Sequence, residues 1–214
     1  SNYPLHFMNS VIISVGSTLV ALIIAIPAAW AMAFVPGKRT KDVLMWMLST
    51  KMMPAVGALV PVYVMAQTAG LLDSLTALII VFTLSNLPIM VWMLYSYFKE
   101  VPVEILEAAR MDGASFFGVL GRILLPNSGP IVVVTVIWQF TNIWNDFLYG
   151  VVFSGAASKP ITVGLNNLAN TSSAVKEYNV DMAAALIAAL PTLLVYVVAG
   201  KYFVRGLTAG AVKG

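Results

Sequence analysis

The sequence predicts an all-α fold, a polytopic bundle of helices that cross a membrane. Hydrophobic residues occupy 60% of the 214 positions and charged residues 10%, and the mean hydropathy is +0.90. A soluble domain has about 25% charged residues. A membrane span needs about 20 mostly apolar residues, and the chain holds five such segments between short polar stretches. We therefore expect a single transmembrane domain over residues 1–214.

The first three segments cover about 8–34, 43–66 and 76–98. Proline interrupts all three, and one proline also interrupts the fifth segment. Because proline lacks an N–H and crowds the preceding turn, it kinks a helix. Kinked spans fit a gated pathway, although packing kinks without a gating role would look the same. The prolines concerned are Pro27, Pro54, Pro61, Pro88 and Pro191.

The last two segments cover about 130–153 and 181–204, with loops at 99–126 and 154–180. The basic residues decide which loop is cytoplasmic, because lysine and arginine concentrate on that side. Lys159 and Lys176 fall on one side and Lys51 lies within the second segment; the other nine of the 12 basic residues fall on the opposite side. These nine are Lys38, Arg39, Lys41, Lys99, Arg110, Arg122, Lys201, Arg205 and Lys213. The loop 99–126 and the C-terminus are therefore expected in the cytoplasm, and the loop 154–180 outside.

The cytoplasmic loop has the pattern of a short docking helix. Pro102 suits the first helical position, where its missing N–H costs nothing. Gly113 suits the C-terminal stop, because glycine adopts the left-handed conformation without strain. Between them, Ala108 and Ala109 would let another backbone approach closely. Ser115 can cap a second short helix.

The spacing of this loop resembles the Glu-Ala-Ala loop of the permease subunits of binding-protein-dependent ABC importers. The family pattern is Glu-Ala-Ala, three residues, Gly, nine residues, then Ile-x-Leu-Pro, and no position here is out of register. An amphipathic connecting helix of an unrelated membrane protein is the alternative. The resemblance assigns contact with an ATPase to Glu107, Ala108, Ala109, Asp112, Gly113, Leu125 and Pro126.

The resemblance implies the type I ABC importer (MetI-like) fold, in a bacterial cytoplasmic (inner) membrane. Relatives have six spans, so one more span is expected before residue 1. It also implies four kinds of partner: a cytoplasmic ABC ATPase dimer, a second permease subunit, an extracytoplasmic solute-binding protein and membrane lipid. Nucleic acid is not among them. The chain itself would need no cofactor, because ATP and Mg²⁺ would bind the partner ATPase.

The fourth segment carries polar residues at spacings of 4, 3, 4 and 3, which would share one helical face. They are Thr135, Gln139, Asn142, Asp146 and Tyr149. Because polar groups in a span face a bundle interior or a watery cavity, they predict a translocation path for a hydroxyl-rich solute. Hydrogen bonding to a partner subunit is the alternative. Lys51 differs from Asp146 in depth, so we interpret it as snorkelling toward the cytoplasmic interface.

Two short motifs narrow the resemblance to the carbohydrate-uptake branch, specifically the second (G-type) permease of maltose-type systems. They are Trp144-Asn145-Asp146-Phe147 and Ile161-Thr162-Val163-Gly164-Leu165. In such relatives the external loop before the last span reaches the binding protein, so residues 160–170 would do so here. A compact polar turn would present the expected contacts, and a simple connector is the alternative. The contacts are Thr162, Gly164, Asn166 and Asn167.

Several function classes lack their signatures. The chain has no cysteine and one histidine, His6, which we expect to be incidental; a metal site is therefore not expected. It has no Walker loop, no His-Glu-x-x-His and no nucleophile elbow, so it is not expected to be an enzyme. The remaining alternative is an ion-coupled secondary transporter or channel, with Asp146 as its coupling acid.

Overall fold

The computed structural model describes the backbone of residues 2–170 and 178–211, with all their side chains except Arg110, Phe116 and residues 201–211. The regular structure of this part is helical throughout. Residues 171–177 of the predicted external loop, and residues 212–214, lie outside the described part. The α-helices are α1 (Tyr3–Phe34), α2 (Thr40–Met52), α3 (Ala55–Thr68), α4 (Leu75–Phe98), α5 (Val103–Met111), α6 (Phe116–Val119), α7 (Leu125–Asn127), α8 (Gly129–Trp144), α9 (Leu148–Phe153), α10 (Ile161–Asn170) and α11 (Tyr178–Ala211). A π-helical turn, Leu120–Leu124, joins α6 to α7.

Three of these helices are long and apolar enough to cross a membrane: α1, α4 and the Tyr178–Gly200 part of α11. Two bent pairs also qualify when each pair is taken together. They are α2 with α3, bent by 97°, and Phe117–Asn127 with α8, bent by 82°. The described chain therefore has three spanning helices, or up to five with the bent pairs. The predicted all-α membrane bundle is confirmed, with continuous helices for the first, third and fifth segments.

The second predicted segment, 43–66, is broken rather than straight. Met53 and Pro54 are extended, with ψ of 133° and 127°. A residue before proline avoids the helical region, and Pro54 has no N–H to continue α2. The chain therefore turns by 97° between α2 and α3. The other span prolines stay within continuous helices: Pro27, Pro61, Pro88 and Pro191.

The centre of the bundle is the packing of α1 against α4. Ala21, Ala25 and Ala29 repeat every fourth residue of α1, and all three are fully buried against α4 residues that include Met90 and Phe98. Small side chains at this spacing let two membrane helices approach closely. The same face of α1 continues outward through the buried serines Ser10, Ser14 and Ser17.

A clasp around Asp73 joins the turn between α3 and α4 to the segment after α9. Asp73 adopts φ +57°, and its N–H donates to the Phe153 carbonyl at 3.0 Å. Its carboxylate accepts from the N–H of Gly155 at 2.7 Å, the N–H of Ser158 at 2.9 Å and the Ser158 hydroxyl at 2.8 Å. The Ala157 N–H donates to it at 3.3 Å.

These donors control the charge of Asp73. Burial by itself would raise the pKa of Asp73, but the hydrogen bonds from Ser158, Gly155 and Ala157 outweigh it and lower the pKa from 3.8 to about 2. Hydrogen bonds to a carboxylate favour its charged form. A lowered folded-state pKa means that the clasp contributes its full stability above about pH 4 and loses it as the pH falls toward 2. The clasp is therefore intact at neutral pH.

Candidate functional site

The loop between α4 and α8 folds around a small core of its own. Leu106 and Ala109 of α5 are buried against Val119 of α6, and Phe34 and Ile123 pack at the edge of this cluster. One face of α5 is thus fixed to the loop and to the end of α1. The opposite face is exposed.

Gly113 ends α5, as predicted. Its φ is +79°, and the N–H of Ala114 donates to the Ala109 carbonyl at 3.0 Å, the long hydrogen bond of a Schellman motif. Nothing lies within 4 Å of the position that a Cβ would take on Gly113. Glycine is therefore required by the backbone angle and not by crowding. Ser115 Oγ accepts from the Gly118 N–H at 3.3 Å, the predicted cap of the second helix.

Most of the residues predicted to contact an ATPase lie on the exposed surface of this loop. The exposed ones are Glu107, Ala108, Asp112, Gly113 and Pro126, and Leu125 is half-buried. Ala109 differs, because its methyl group lies in the core of the loop; another backbone cannot approach there. The sequence analysis did not single out Met111, which is 89% exposed beside this surface.

The predicted polar stripe of the fourth segment does not run along one helix. Helix α8 ends at Trp144 and α9 begins at Leu148, because the Asp146 carboxylate accepts from the backbone N–H groups of Tyr149 at 2.9 Å and Gly150 at 3.4 Å. From the position before the N-cap residue Phe147, the Asp146 side chain thus satisfies two N–H groups at the start of α9 that have no partner within the helix. The prediction of one helical face therefore holds only as far as Trp144. Asp146 and Tyr149 do not lie on the same helix as Thr135.

The two inner residues of the stripe are fully buried. The hydroxyl of Thr135 donates to the Ile131 carbonyl at 2.7 Å within its own helix. The amide atoms of Gln139 make no hydrogen bond with the described part of the chain. Both side chains are 0% exposed, so neither can meet a solute in this structure.

The outer residues of the stripe do reach cavities. Asn142 and Asp146 line a cavity of about 690 Å³ between α4, α8 and α11, together with Trp138 and Asn145. Tyr149 lines a different cavity, of about 510 Å³, beside α2. Both volumes are in the range of about 300–1,000 Å³ that small-molecule sites occupy.

A chain of hydrogen bonds crosses the wall between the two cavities. Lys51 Nζ donates to Asn86 Oδ1 at 3.1 Å, and Asn86 Nδ2 donates to Asn142 Oδ1 at 3.1 Å. Asn86 lies in the middle of α4 and is buried. Lys51 therefore reaches toward the middle of α4, and the interpretation that it snorkels toward the cytoplasmic interface is wrong. It connects to the fourth segment through Asn142 rather than through Asp146.

The predicted polar turn of the external loop is a helix, α10. Gly164 is buried there, and a Cβ on it would collide with the ring of His6. His6 is therefore a packing residue and not incidental. The Thr162 hydroxyl donates to the Asp146 carbonyl at 2.6 Å, which ties α10 to the break after α8. Asn166 and Asn167 are exposed.

The Trp144-Asn145-Asp146 motif is the local reason for the break. The Trp144 indole N–H donates to the Ala188 carbonyl at 2.9 Å and so anchors α11. The Asn145 side-chain amide donates to the Thr141 carbonyl at 2.9 Å, and the Asp146 carboxylate accepts from the first turn of α9. Within the described residues, no group of three or more acidic or histidine side chains is arranged for a metal ion.

Comparisons with known proteins identify the family of this chain. Residues 21–208 match the family described as binding-protein-dependent transport system inner membrane component. A probable ABC transporter permease of Pyrococcus horikoshii is 43% identical over 76% of this chain and 58% of its own length. The sulfoquinovosyl glycerol transport system permease of Agrobacterium fabrum is 31% identical over 100% of this chain and 75% of its own length.

The fold also matches a solved structure. A bacterial ABC transporter involved in the import of the acidic polysaccharide alginate contains a chain with a TM-score of 0.81 and 22% identity. The match covers 95% of this chain and 76% of that one. At this identity the likeness establishes the fold. With the family match over most of its length, the chain belongs to the permeases of binding-protein-dependent ABC importers.

Proposed function

We propose that this chain is the permease subunit of an ATP-driven importer for a sugar or polyol in a bacterial inner membrane. It forms the translocation pathway with a second permease subunit. A cytoplasmic ATPase dimer, which binds ATP and Mg²⁺, drives it through the surface of α5, and an extracytoplasmic binding protein delivers the solute. The loop carrying α5 and the C-terminus are on the cytoplasmic side.

The observation that carries this proposal is the construction of the loop around α5. A helix of 9 residues is held on one face by Leu106 and Ala109 and ended by the left-handed Gly113. Its other face presents Glu107, Ala108 and Met111. A helix held in this way can transmit force, because it moves together with its own core and with the end of α1.

Crosslinking tests the partner. The chain has no cysteine, so a single cysteine at Met111, in the full-length protein, reports one contact. We expect Met111→Cys to crosslink to a cysteine in the surface groove of the ATPase, with a yield that changes when ATP is added. Gln67→Cys, at an exposed position near the end of α3 on the side predicted to be external, is the control and stays uncrosslinked. Absence of the Met111 crosslink with both proteins folded and present would refute the ATPase contact.

The solute class is supported by the 690 Å³ cavity. Its lining includes the amides of Asn142 and Asn145, the Asp146 carboxylate and the ring of Trp138. Hydrogen-bonding groups beside an aromatic ring suit a solute with many hydroxyls and an apolar face. Two of the similar proteins also support a carbohydrate solute: one belongs to a sulfoquinovosyl glycerol transport system and the other to an importer of the polysaccharide alginate. The companion permease subunit would complete the enclosure of the solute.

A matched pair of substitutions tests the pathway. Asn142→Leu removes an amide at the cavity, and we expect uptake to fall about tenfold, the effect of losing roughly one to two hydrogen bonds. Gln139→Leu, one turn earlier and fully buried, should change uptake less than about twofold and raise the melting temperature, since a buried amide without a partner costs about 1–3 kcal/mol. Transport assays and thermal unfolding measure both. Equal effects of the two variants on uptake would exclude Asn142 from the pathway.

Two further features bear on the proposal. Asn166 and Asn167 are the members of the predicted external contact set that face outward, so we assign the binding-protein contact to them. The alternative, an ion-coupled transporter, needs an acid that can exchange ions. Asp146 instead accepts backbone hydrogen bonds at the start of α9, which is a structural use of its charge.

A further inference from the structure

The 510 Å³ cavity beside the break between α2 and α3 is not used by the pathway described above. It is lined by the aromatic rings of Trp46 and Tyr149, the hydroxyls of Thr50 and Ser85, and the ammonium group of Lys51. The remaining lining residues are apolar. The cavity therefore combines ring faces, hydroxyl groups and one charge.

No acidic side chain among the described residues lines this cavity. Lys51 is the only lysine, arginine, aspartate or glutamate among the described residues that line it. Its ammonium group donates a hydrogen bond to a neutral acceptor, Asn86 Oδ1, at 3.1 Å. An ammonium group has three donors, so two remain for a ligand.

The position of the ammonium group is fixed in advance. Asn86 is buried, and its amide nitrogen is committed to Asn142 Oδ1 at 3.1 Å. The amide oxygen of Asn86 therefore points toward Lys51. A charge held in place loses little freedom when it binds an anion. Exposure of this ammonium group to lipid would cost several kcal/mol. The face of α2 that carries Lys51 is therefore expected to contact water or a solute.

The hydroxyl groups suit a carbohydrate beside the charge. The Thr50 hydroxyl donates to the Met47 carbonyl at 2.6 Å, which leaves its oxygen to accept from a sugar hydroxyl. Trp46 is 67% exposed and offers a ring face on which an apolar sugar face can stack.

We propose that this cavity is a subsite for an acidic carbohydrate, with Lys51 binding the carboxylate, sulfonate or phosphate of a glycoside. The subsite rests on the proposed importer function and narrows its solute class. An anion accepts the two remaining donors of Lys51 in charge-assisted hydrogen bonds, while the sugar ring lies against Trp46. A neutral glycoside of the same shape lacks this contact.

A binding experiment tests the subsite directly. The intact importer, with its second permease and ATPase subunits in lipid nanodiscs, is titrated by calorimetry with methyl β-D-glucuronide and with methyl β-D-glucoside, without nucleotide. We expect the glucuronide to bind about tenfold more tightly, as a charge-assisted bond is roughly twice as strong as a neutral one. Lys51→Met abolishes this preference and Lys51→Arg retains it. Lys99→Met, which removes an exposed charge at the end of α4, leaves it unchanged.

The outcomes separate this subsite from the importer function. Equal affinities for the two glycosides, absence of binding by both, or a preference that survives Lys51→Met would overturn the subsite. A merely structural role of Lys51 would lower both affinities together and keep their ratio. The ATPase crosslink at Met111 is independent of this measurement. Its loss with an intact glucuronide preference would overturn the importer proposal alone.

Discussion

Gly113→Val should lower ATP-driven uptake at least tenfold while leaving the protein in the membrane and the ATPase active. The backbone at Gly113 has φ +79°, a region that costs an L-residue about 1–2 kcal/mol and a β-branched residue more. Valine would therefore shift this residue toward negative φ and break the hydrogen bond between Ala114 and Ala109. The orientation of α5 would change, and with it the surface around Glu107 and Met111. Uptake and ATP hydrolysis in proteoliposomes measure the uncoupling.

Gly121→Val is the matched control in the same loop. Gly121 is also exposed, and no atom lies within 4 Å of its Cβ position, but its φ is outside the left-handed region. The two substitutions add the same side chain into open space and differ in the backbone angle. Full uptake by Gly121→Val and loss of uptake by Gly113→Val would identify the angle as the cause. Full uptake by both would contradict the role assigned to the end of α5.

The sequence predicts the larger organisation of the chain because that organisation depends on local properties. Apolar length is enough to predict helices that can span a membrane, and the helix stop at Gly113 and the cap at Ser115 follow from the conformational preferences of single residues. The structure has the stop and the cap where they were expected. Each of these features is decided within a few residues along the chain.

The parts that were missed depend on side-chain contacts that the periodicity of a segment does not reveal. Helical counting places Asp146 on the face of Thr135, but its carboxylate bonds the N–H groups of Tyr149 and Gly150 and starts a new helix. An aspartate followed by Phe-Leu-Tyr-Gly is a weak cap signal inside an apolar segment. Ala109 could have faced a partner or its own loop, and only the position of Val119 decides this.

The same limit applies to the polar residues. Lys51 and Asn142 are 91 positions apart in the chain numbering and meet only through Asn86. No periodicity within one segment contains that contact. Gly164 likewise looks like a turn residue until His6 is placed against it. Sequence patterns therefore located the loop to which we assign the ATPase contact, whereas the cavities required the packed bundle.

Gly155→Ala should lower the melting temperature of the importer by about 5 °C, through the clasp at Asp73. A Cβ on Gly155 would lie 2.5 Å from Asp73 Oδ2 and 2.6 Å from its Cγ. The carboxylate cannot move away cheaply, because it accepts hydrogen bonds from Gly155, Ala157 and Ser158. Overpacking of this kind costs about 1–3 kcal/mol, and 1 kcal/mol shifts the melting temperature of a chain of this size by about 2–4 °C. Thermal unfolding of the assembled importer in detergent measures the change.

A double-mutant cycle shows whether the collision with Asp73 is the cause. Asp73→Ala removes the carboxylate and its hydrogen bonds, and with them the three atoms nearest to a methyl group at position 155. If the clasp operates as described, Gly155→Ala costs much less stability in the Asp73→Ala background than in the wild type, and the two effects are not additive. Gly57→Ala, in α3 with no atom within 4 Å of its Cβ position, is the control for adding a methyl group. Additive effects would mean that Gly155 is required for a reason other than Asp73, and the clasp would then not be what holds the segment leading to α10.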